Sequence, residues 1–246
     1  MLRLVATLAL AAAVTVTMTE ESIAQDRYAA ERERMVAEIS AMARETGFET
    51  GRPVFAKRVM AAIRKVPRHR FVPLALADHA YDNRPLSIGD GQTISQPYIV
   101  ALMTELLDSK PGDVVLEVGT GSGYQAAVLA EIVANVYTIE IVDALGRKAA
   151  ATLTALGYRN VTTRIGDGYH GWKEHAPFDG ILVTAAPAEV PQPLVDQLKL
   201  GGRLVIPVGG RFGVQELMVI EKKADGSTTT RRTIPVRFVP LTRDRQ

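Results

Sequence analysis

Short apolar runs alternate along this chain with longer segments in which apolar residues recur every three or four positions. Five runs rich in Val, Ile and Leu predict buried strands at residues 114–118, 135–140, 161–165, 178–184 and 203–208. Helical periodicity predicts intervening helices at residues 125–134, 142–156 and 193–198. Alternating apolar and polar positions predict two closing strands at residues 215–221 and 233–239. The pattern therefore predicts an α/β, Rossmann-like doubly wound fold, with a mostly parallel seven-stranded sheet and helices on both faces.

The chain ahead of this sheet predicts an N-terminal helical extension. Three helices are predicted there, at residues 28–44, 53–63 and 98–107. Gly47 ends the first helix, and Pro53 and Pro97 open the other two at their first turns. We assign these elements to an extension at 25–110, followed by the ligand-binding core at 111–246.

Two stretches of the extension break the regular pattern. Residues 64–73 are basic and carry two prolines, which predicts either a binding patch or a solvated loop that ends where Phe71 docks into the core. Residues 81–96 are rich in Asn, Pro, Gly and Asp and predict a loop. From periodicity alone, Thr93 or Ser95 in that loop caps the helix that follows.

The composition limits the cofactors and partners. The chain has 246 residues, 47% of them hydrophobic, which is enough for one domain with a sizeable core. A net charge of +2 gives no strong electrostatic case for a nucleic acid or for stable association with an anionic membrane. Because there is no cysteine, disulfides, thiolate metal sites and a cysteine nucleophile are excluded. The four histidines are scattered, so we expect no metal site.

The strand at 114–118 runs directly into a turn that carries Gly119, Gly121 and Gly123. Glycines admit positive φ angles and let a ligand approach the backbone closely. The following helix start offers unpaired N–H groups. The spacing G-x-G-x-G differs from the dinucleotide fingerprint G-x-G-x-x-G, because Tyr124 occupies the place of its last glycine. No lysine follows, so the turn is not a phosphate-binding P-loop either.

Glu117 places a carboxylate inside the end of this strand. An anion there repels a pyrophosphate but suits a cationic ligand, such as the ammonium group of an amino acid. The pattern Glu-x-Gly-x-Gly-x-Gly after a strand resembles motif I of the S-adenosylmethionine-dependent methyltransferases. We therefore expect Glu117, Gly119, Gly121 and Gly123 to bind that cofactor. A nicotinamide or flavin fold and a purely structural turn stay open from this turn alone.

Two further acids follow predicted strands. Glu140 lies roughly 20 residues after Gly119, where α/β nucleotide sites place a carboxylate on the ribose hydroxyls. The alternative role of Glu140 is to cap the next helix. Asp167 lies in a Gly-Asp-Gly turn after the third strand, and its carboxylate can accept a hydrogen bond from an adenine amino group.

The residues at the end of the 178–184 strand argue against a nucleobase as the methyl acceptor. Enzymes that methylate exocyclic amines often carry Asn/Asp-Pro-Pro-Tyr at this place. This chain has Thr184-Ala185-Ala186-Pro187, which offers no side chain to a nucleobase amine. The modest net charge agrees with an acceptor other than nucleic acid.

Several longer segments occur in one order from about residue 35 to the end of the sequence. They include Val66-Pro67-Arg68, Phe71-Val72-Pro73, Gly91-Gln92-Thr93-Ile94-Ser95-Gln96-Pro97, Gly166-Asp167-Gly168, Gly201-Gly202-Arg203-Leu204-Val205 and Phe238-Val239-Pro240-Leu241. Together they resemble the protein-L-isoaspartate O-methyltransferase family, and several of them are not general methyltransferase features.

The resemblance implies an enzyme that transfers a methyl group from S-adenosylmethionine to the carboxyl group of L-isoaspartyl residues in damaged proteins and peptides. The methyl ester then begins repair through a succinimide. The resemblance also implies that Ser95, with Thr93 nearby, orients the acceptor carboxylate, and that Asp167 and Gly168 contact adenine. A family threonine near the substrate matches Thr242. A small-molecule carboxyl or hydroxyl O-methyltransferase and a non-catalytic binding module stay open as alternatives.

The first 24 residues leave the compartment open. Arg3, a short apolar run and the small residues Ser22 and Ala24 resemble a secretory signal peptide, which favours the periplasm or secretion. The family resemblance and the supply of a methyl donor made in the cytosol favour the cytoplasm. An ordinary N-terminal helix, or an extension upstream of the true start codon, explains the same residues. We expect the mature chain to be a monomer.

Overall fold

The computed structural model describes residues 27–210 and 213–243, so the predicted signal peptide at 1–24 lies outside the described residues. The strands are β1 Leu86–Gly89, β2 Gln92–Ile94, β3 Val114–Val118, β4 Asn135–Glu140, β5 Val161–Ile165, β6 Phe178–Val183, β7 Leu198–Val208, β8 Gln215–Lys222 and β9 Thr228–Val236. The helices are α1 Ala29–Glu45, α2 Gly47–Thr50, α3 Lys57–Lys65, α4 Pro97–Leu107, α5 Tyr124–Ala130, α6 Asp143–Ala155 and α7 Gln192–Asp196. In the part of the chain that the structure describes, no helix has both the length and the apolar content to cross a bilayer.

Seven strands form the central sheet in the order β5-β4-β3-β6-β7-β8-β9. Strands β3 to β7 pair in parallel, and β8 and β9 complete one edge in antiparallel fashion. This arrangement confirms the predicted fold class. The chain proceeds outward from β3 to β4 and β5, then returns to the other side of β3 with β6. In open α/β sheets, ligands bind at the carboxyl ends of the strands where the order reverses in this way, which is here between β3 and β6.

Strand β3 is apolar except at Glu117, because both faces of the sheet are covered. Val115 belongs to the apolar cluster on one face, and its neighbour Leu116 belongs to the cluster on the other. The first cluster also contains Met35 of α1 and Leu102 of α4, and all four of these side chains are buried. The N-terminal helices therefore share a hydrophobic core with the sheet that carries the predicted cofactor turn.

The second predicted helix begins later than expected. Pro53 does not open it: α3 starts at Lys57, after Ala56 in an extended conformation. Gly47 does end α1 approximately as predicted, but it also opens the single turn α2. A Cβ at Gly47 would lie 2.6 Å from the Cβ of Pro53, so the proline packs against the glycine instead of entering a helix.

The segment predicted as a loop contains the hairpin of β1 and β2. Its two-residue turn has φ +50° at Asp90 and +71° at Gly91, the conformation that Asp-Gly favours in hairpins. The capping prediction was wrong, because neither Thr93 nor Ser95 caps α4. The N–H of Tyr98 in its first turn donates instead to the side-chain oxygen of Asn83, at 3.0 Å.

Candidate active site

A cavity opens at the carboxyl ends of β3, β4 and β6. Its walls come from the turn after β3, the second hairpin strand and the chain segment at 239–242. Seven predicted site residues line it: Thr93, Ser95, Glu117, Gly119, Gly121, Glu140 and Gly168. The side chains come from elements that lie far apart in the sequence, and the fold brings them to one edge of the sheet.

The turn at residues 119–123, which we call the glycine turn, has positive φ angles at all three glycines. A Cβ at Gly119 would collide with the side chain of Thr184 at the end of β6. That threonine donates its hydroxyl hydrogen to the carbonyl of Gly119, at 2.5 Å. Gly123 lies outside the cavity wall, where a Cβ would press on Leu153 of α6 at 3.3 Å. Gly123 therefore allows helix packing next to the site.

Glu117 is completely buried at the base of the cavity. Its Oε2 accepts a hydrogen bond from the Thr138 hydroxyl at 2.5 Å. Its Oε1 is buried without a hydrogen-bond partner among the described residues. Burial raises the pKa of Glu117 to about 8, the Thr138 hydrogen bond opposes that shift, and the nearby Glu140 carboxylate adds to it. An unpaired buried carboxylate oxygen is costly, so this position suits a cationic donor.

Glu140 is held by two backbone N–H groups. Gly121 donates to its Oε2 at 2.7 Å and Val142 donates to its Oε1 at 2.9 Å. Because Val142 directly precedes α6, the carboxylate does support the helix start, as the alternative interpretation holds. Glu140 also lines the cavity, and each oxygen keeps a second lone pair with which to accept a ligand hydroxyl.

The Asp167–Gly168 turn lies at the edge of the cavity, with Gly168 in the wall. The Asp167 carboxylate accepts hydrogen bonds from the Tyr169 N–H at 2.9 Å and from Arg243 Nε at 3.0 Å. Partial burial raises the pKa of Asp167, but these two donors outweigh burial and hold the pKa below its usual range. The carboxylate is thus ionised and fixed beside the cavity.

A second cavity adjoins the first. Four residues line both: Thr93, Ser95, Thr184 and Val239. Apolar residues of α4 and of the chain after β9 supply much of the remaining wall, including Ile99 and Phe238. Two ligands can therefore occupy neighbouring cavities and meet at the hydroxyl-bearing residues between them.

The chain beyond β9 covers the carboxyl end of β6. The Ala186 N–H donates to the carbonyl of Val239 at 2.8 Å, and the Leu241 N–H donates to the carbonyl of Ala186 at 2.9 Å. The predicted last strand extended to residue 239, but β9 ends at Val236 because the chain turns here to pair with Ala186. This crossing places Thr242 in the wall of the first cavity.

Arg68 is a functional candidate that the sequence did not reveal. It is completely buried, although the basic stretch around it predicted solvent exposure; Phe71 is buried, as predicted. The Nη2 of Arg68 donates to the Ser95 carbonyl at 2.8 Å, and its Nε donates to the Ala80 carbonyl at 2.8 Å. Its guanidinium carbon lies 4.8 Å from the ring centre of Tyr124, the first residue of α5. Arg68 thus connects the chain at Ser95 to the helix that follows the glycine turn.

Together these groups fit one kind of ligand. The free oxygen of Glu117 matches a cation, the fixed carboxylate of Glu140 matches a pair of hydroxyls, and the glycine turn allows close approach of a ligand. A nucleoside that carries an amino-acid group, as S-adenosylmethionine does, has these features at its two ends.

Comparison with known proteins gives the same result. A family model described as Protein-L-isoaspartate(D-aspartate) O-methyltransferase matches residues 47–246. A protein-L-isoaspartate O-methyltransferase 2 of a Polaromonas species is 62% identical over 211 residues, which cover 86% of this chain and 100% of that protein. A protein-L-isoaspartate O-methyltransferase 1 of Cupriavidus necator is 57% identical over 238 residues, covering 97% of this chain and 90% of that protein.

Solved structures agree at lower identity. One protein-L-isoaspartate O-methyltransferase superposes with a TM-score of 0.72 at 29% identity, covering 84% of this chain and 66% of the other. A Plasmodium falciparum structure described as a beta-aspartate methyltransferase in complex with S-adenosyl-L-homocysteine has a TM-score of 0.68 at 27% identity, covering 82% of this chain and 98% of the other. The relatives do not support the small-molecule alternative. The chain belongs to the protein-L-isoaspartate O-methyltransferase family.

Proposed function

We propose that this member of the family methylates the free carboxylate of L-isoaspartyl residues in proteins and peptides, and that Ser95 and Thr93 hold the acceptor. The observation that supports these roles most is the position of both residues in the walls of both cavities. A hydroxyl at that boundary can bind a peptide carboxylate in one cavity beside a methyl donor in the other.

Residues of the first cavity hold the cofactor in this proposal. Glu117 binds the ammonium group of S-adenosylmethionine, which supplies both the charge and the hydrogen bond that its free oxygen lacks. Glu140 accepts hydrogen bonds from the ribose hydroxyls. Asp167 and Gly168 contact the adenine, since Gly168 lines the same cavity and Asp167 directly precedes it in the turn that follows β5.

The chain's own part in the reaction is to align the acceptor and to exclude water. Bound S-adenosylmethionine supplies a methyl group that its sulfonium already activates. A carboxylate is ionised at neutral pH, so no residue has to act as a general base. The Ser95 and Thr93 hydroxyls donate hydrogen bonds to the carboxylate without protonating it, which fixes its orientation toward the donor.

The second cavity is the proposed peptide groove. Pro235, Val236 and Phe238 give it apolar surface on one side, and Arg237 is the one charged residue among those that line it. An extended peptide can lie there with its isoaspartyl carboxylate at Ser95. The methyl ester formed then closes to a succinimide with loss of methanol, as in the family.

Assembly and compartment stay predictions from the sequence. We propose a monomer that binds neither nucleic acid nor membrane, because the net charge of +2 provides little attraction to either. The choice between cytoplasm and export depends on residues 1–24, and N-terminal sequencing of the natively produced protein decides it.

The activity is tested with two peptides that differ only in one linkage. We expect labelled methyl transfer to a peptide with an L-isoaspartyl residue and none to its normal aspartyl isomer, because only the former presents the free α-carboxylate beside the chain. Methyl transfer is measured by scintillation counting. Equal rates on the two peptides would make the chain a general carboxyl methyltransferase.

Replacing Ser95 with alanine should lower kcat/KM for the isoaspartyl peptide by roughly 100-fold, because misplacement of the reacting atoms has an effect of that order. The affinity for S-adenosylhomocysteine, measured by calorimetry, should stay nearly unchanged. Ser87→Ala is the matched control, since Ser87 lies in the same hairpin opposite Thr93 but lines neither cavity. Unchanged turnover in Ser95→Ala would remove Ser95 from the mechanism.

The Glu117 carboxylate makes cofactor affinity depend on pH. Its pKa of about 8 leaves much of the free protein neutral at this group at neutral pH. Affinity for S-adenosylhomocysteine should therefore rise with pH up to about 8 and then level off, since only the ionised carboxylate attracts the ammonium group. Glu117→Gln should bind more weakly and lose this dependence, whereas Glu140→Gln should bind more weakly and keep a rise with pH that levels off at a lower pH, because the Glu140 charge no longer raises the pKa of Glu117. An identical pH slope in Glu117→Gln contradicts the assignment.

Arg68 should act as a positioning residue for Ser95. Arg68→Met retains similar volume without donors and should lower kcat roughly tenfold to 100-fold, with little change in S-adenosylhomocysteine affinity. Arg68→Lys, which keeps the charge and one donor, should recover part of the loss. Arg32→Met is the control, because Arg32 lies over the ring of Tyr81 as Arg68 lies over that of Tyr124, but its side-chain hydrogen bond goes to Tyr81 and not to Ser95. Equal kcat in the wild type and both Arg68 variants excludes this role.

A further inference from the structure

The sequence contains four Asp-Gly pairs, and they differ in how the aspartate side chain is held. They are Asp90-Gly91, Asp167-Gly168, Asp179-Gly180 and Asp225-Gly226. Among aspartates, one followed by glycine is the most prone to succinimide formation, because glycine places no side chain in the way of its own amide nitrogen as that nitrogen attacks the aspartate carboxyl. Whether the attack occurs depends on how freely the carboxyl group can move.

Three of the four carboxylates accept hydrogen bonds that hold them in place. Asp167 accepts hydrogen bonds from Tyr169 N and Arg243 Nε. Asp179 accepts from the Val114 N–H at 2.8 Å and from the Lys199 ammonium at 2.7 Å. Asp225 accepts from both the N–H and the hydroxyl of Ser227, at 2.9 and 2.7 Å.

Asp90 is the exception. Within residues 27–210 and 213–243 its carboxylate makes no hydrogen bond and no ion pair, and both Asp90 and Gly91 are exposed. A Cβ built on Gly91 would meet nothing within 4 Å, so the turn has open space around it. The backbone at Asp90 has a φ of +50°, a conformation that L-residues adopt only at some cost. Neither packing nor hydrogen bonding of these side chains holds Asp90 away from its neighbour's nitrogen.

We infer that Asp90 is a site of spontaneous isoaspartate formation in this protein. The Gly91 nitrogen bonds to Cγ of Asp90, the amide hydrogen and the carboxyl proton leave with one carboxyl oxygen as a single water molecule, and a five-membered succinimide forms. Water then opens the ring at either carbonyl. Opening at the original backbone carbonyl leaves the chain running through Cγ, which adds one methylene to the backbone of the turn.

The added methylene falls in the two-residue turn that sets the register of the hairpin of β1 and β2. The turn has two residues, and the register of β1 and β2 pairs Ser87 with Thr93 and Gly89 with Gln92. A longer turn forces that register to shift, and a shift by one residue exchanges the two faces of a strand. Thr93 and Ser95 follow directly. Isoaspartate at position 90 should therefore reduce methyl transfer, a consequence that rests on the proposed function, whereas the isomerisation itself does not.

The full chain is aged at physiological temperature and neutral pH without S-adenosylmethionine, and isoaspartate is located by fragment-ion mass spectrometry. We expect several-fold more isoaspartate at Asp90 than at the other three aspartates combined. Methyl transfer to the isoaspartyl peptide should fall in parallel. Isoaspartate at Asp90 no higher than at Asp225, which is equally exposed, overturns the inference.

Variants separate this cause of decay from others. Asp90→Gly keeps a turn that tolerates positive φ and lacks the carboxyl group, so it should start with wild-type activity and lose activity several-fold more slowly. Asp90→Asn should lose activity faster, because ammonia leaves an asparagine side chain more readily than water leaves an aspartate. Asp225→Gly should age as the wild type does. Decay that is the same in all four proteins overturns the link to activity, while a fresh wild type inactive on the peptide refutes the proposed function alone.

Discussion

The parallel pairing of β3 with β6 is the constraint on which the rest of the site depends. Val115 to Val118 pair with Gly180 to Val183 in register, so the two strands end side by side, and the chain leaves them in opposite directions. Thr184 then contacts Gly119 so closely that only a glycine fits. The first cavity exists because these two strands end together and nothing from the sheet itself fills the space above them.

Two buried ionisable groups lie close to the site: Glu117 in the wall of the first cavity, and Arg68 behind the carbonyl of Ser95. Glu117 and Arg68 are both completely buried, and neither forms an ion pair within the described part of the chain. Burial lowers the pKa of Arg68 to about 10, so the guanidinium stays charged at neutral pH. Buried charges without counter-ions are expensive for stability. Their burial is explained if Glu117 serves to bind a ligand and Arg68 to position the chain at Ser95, and neither serves to stabilise the fold.

The sequence predicted the parts of the site that depend on local pattern. The sheet, the glycine turn and the placement of Glu117 and Glu140 at strand ends follow from periodicity and from the rule that carboxyl ends of parallel strands share one edge. The prediction of a loop at residues 81–96 misses the hairpin of β1 and β2, because Asp-Gly marks turns in loops as well as in hairpins. The burial of Arg68 and the pairing of Ala186 with Val239 depend on residues distant in sequence, and no local pattern signals such contacts. The same holds for the contact between Asp167 and Arg243.

The shape of the proposed peptide groove has a consequence for the proteins that the enzyme repairs. The Ser95 and Thr93 hydroxyls, which we propose to hold the acceptor, lie between two cavities, covered on one side by the chain that crosses β6. A damaged residue reaches them only if its own segment can detach from the surface of its protein and enter the groove. Client proteins should thus be methylated in proportion to how often that segment opens locally. Repair would then select flexible regions and pass over the same lesion in a rigid core.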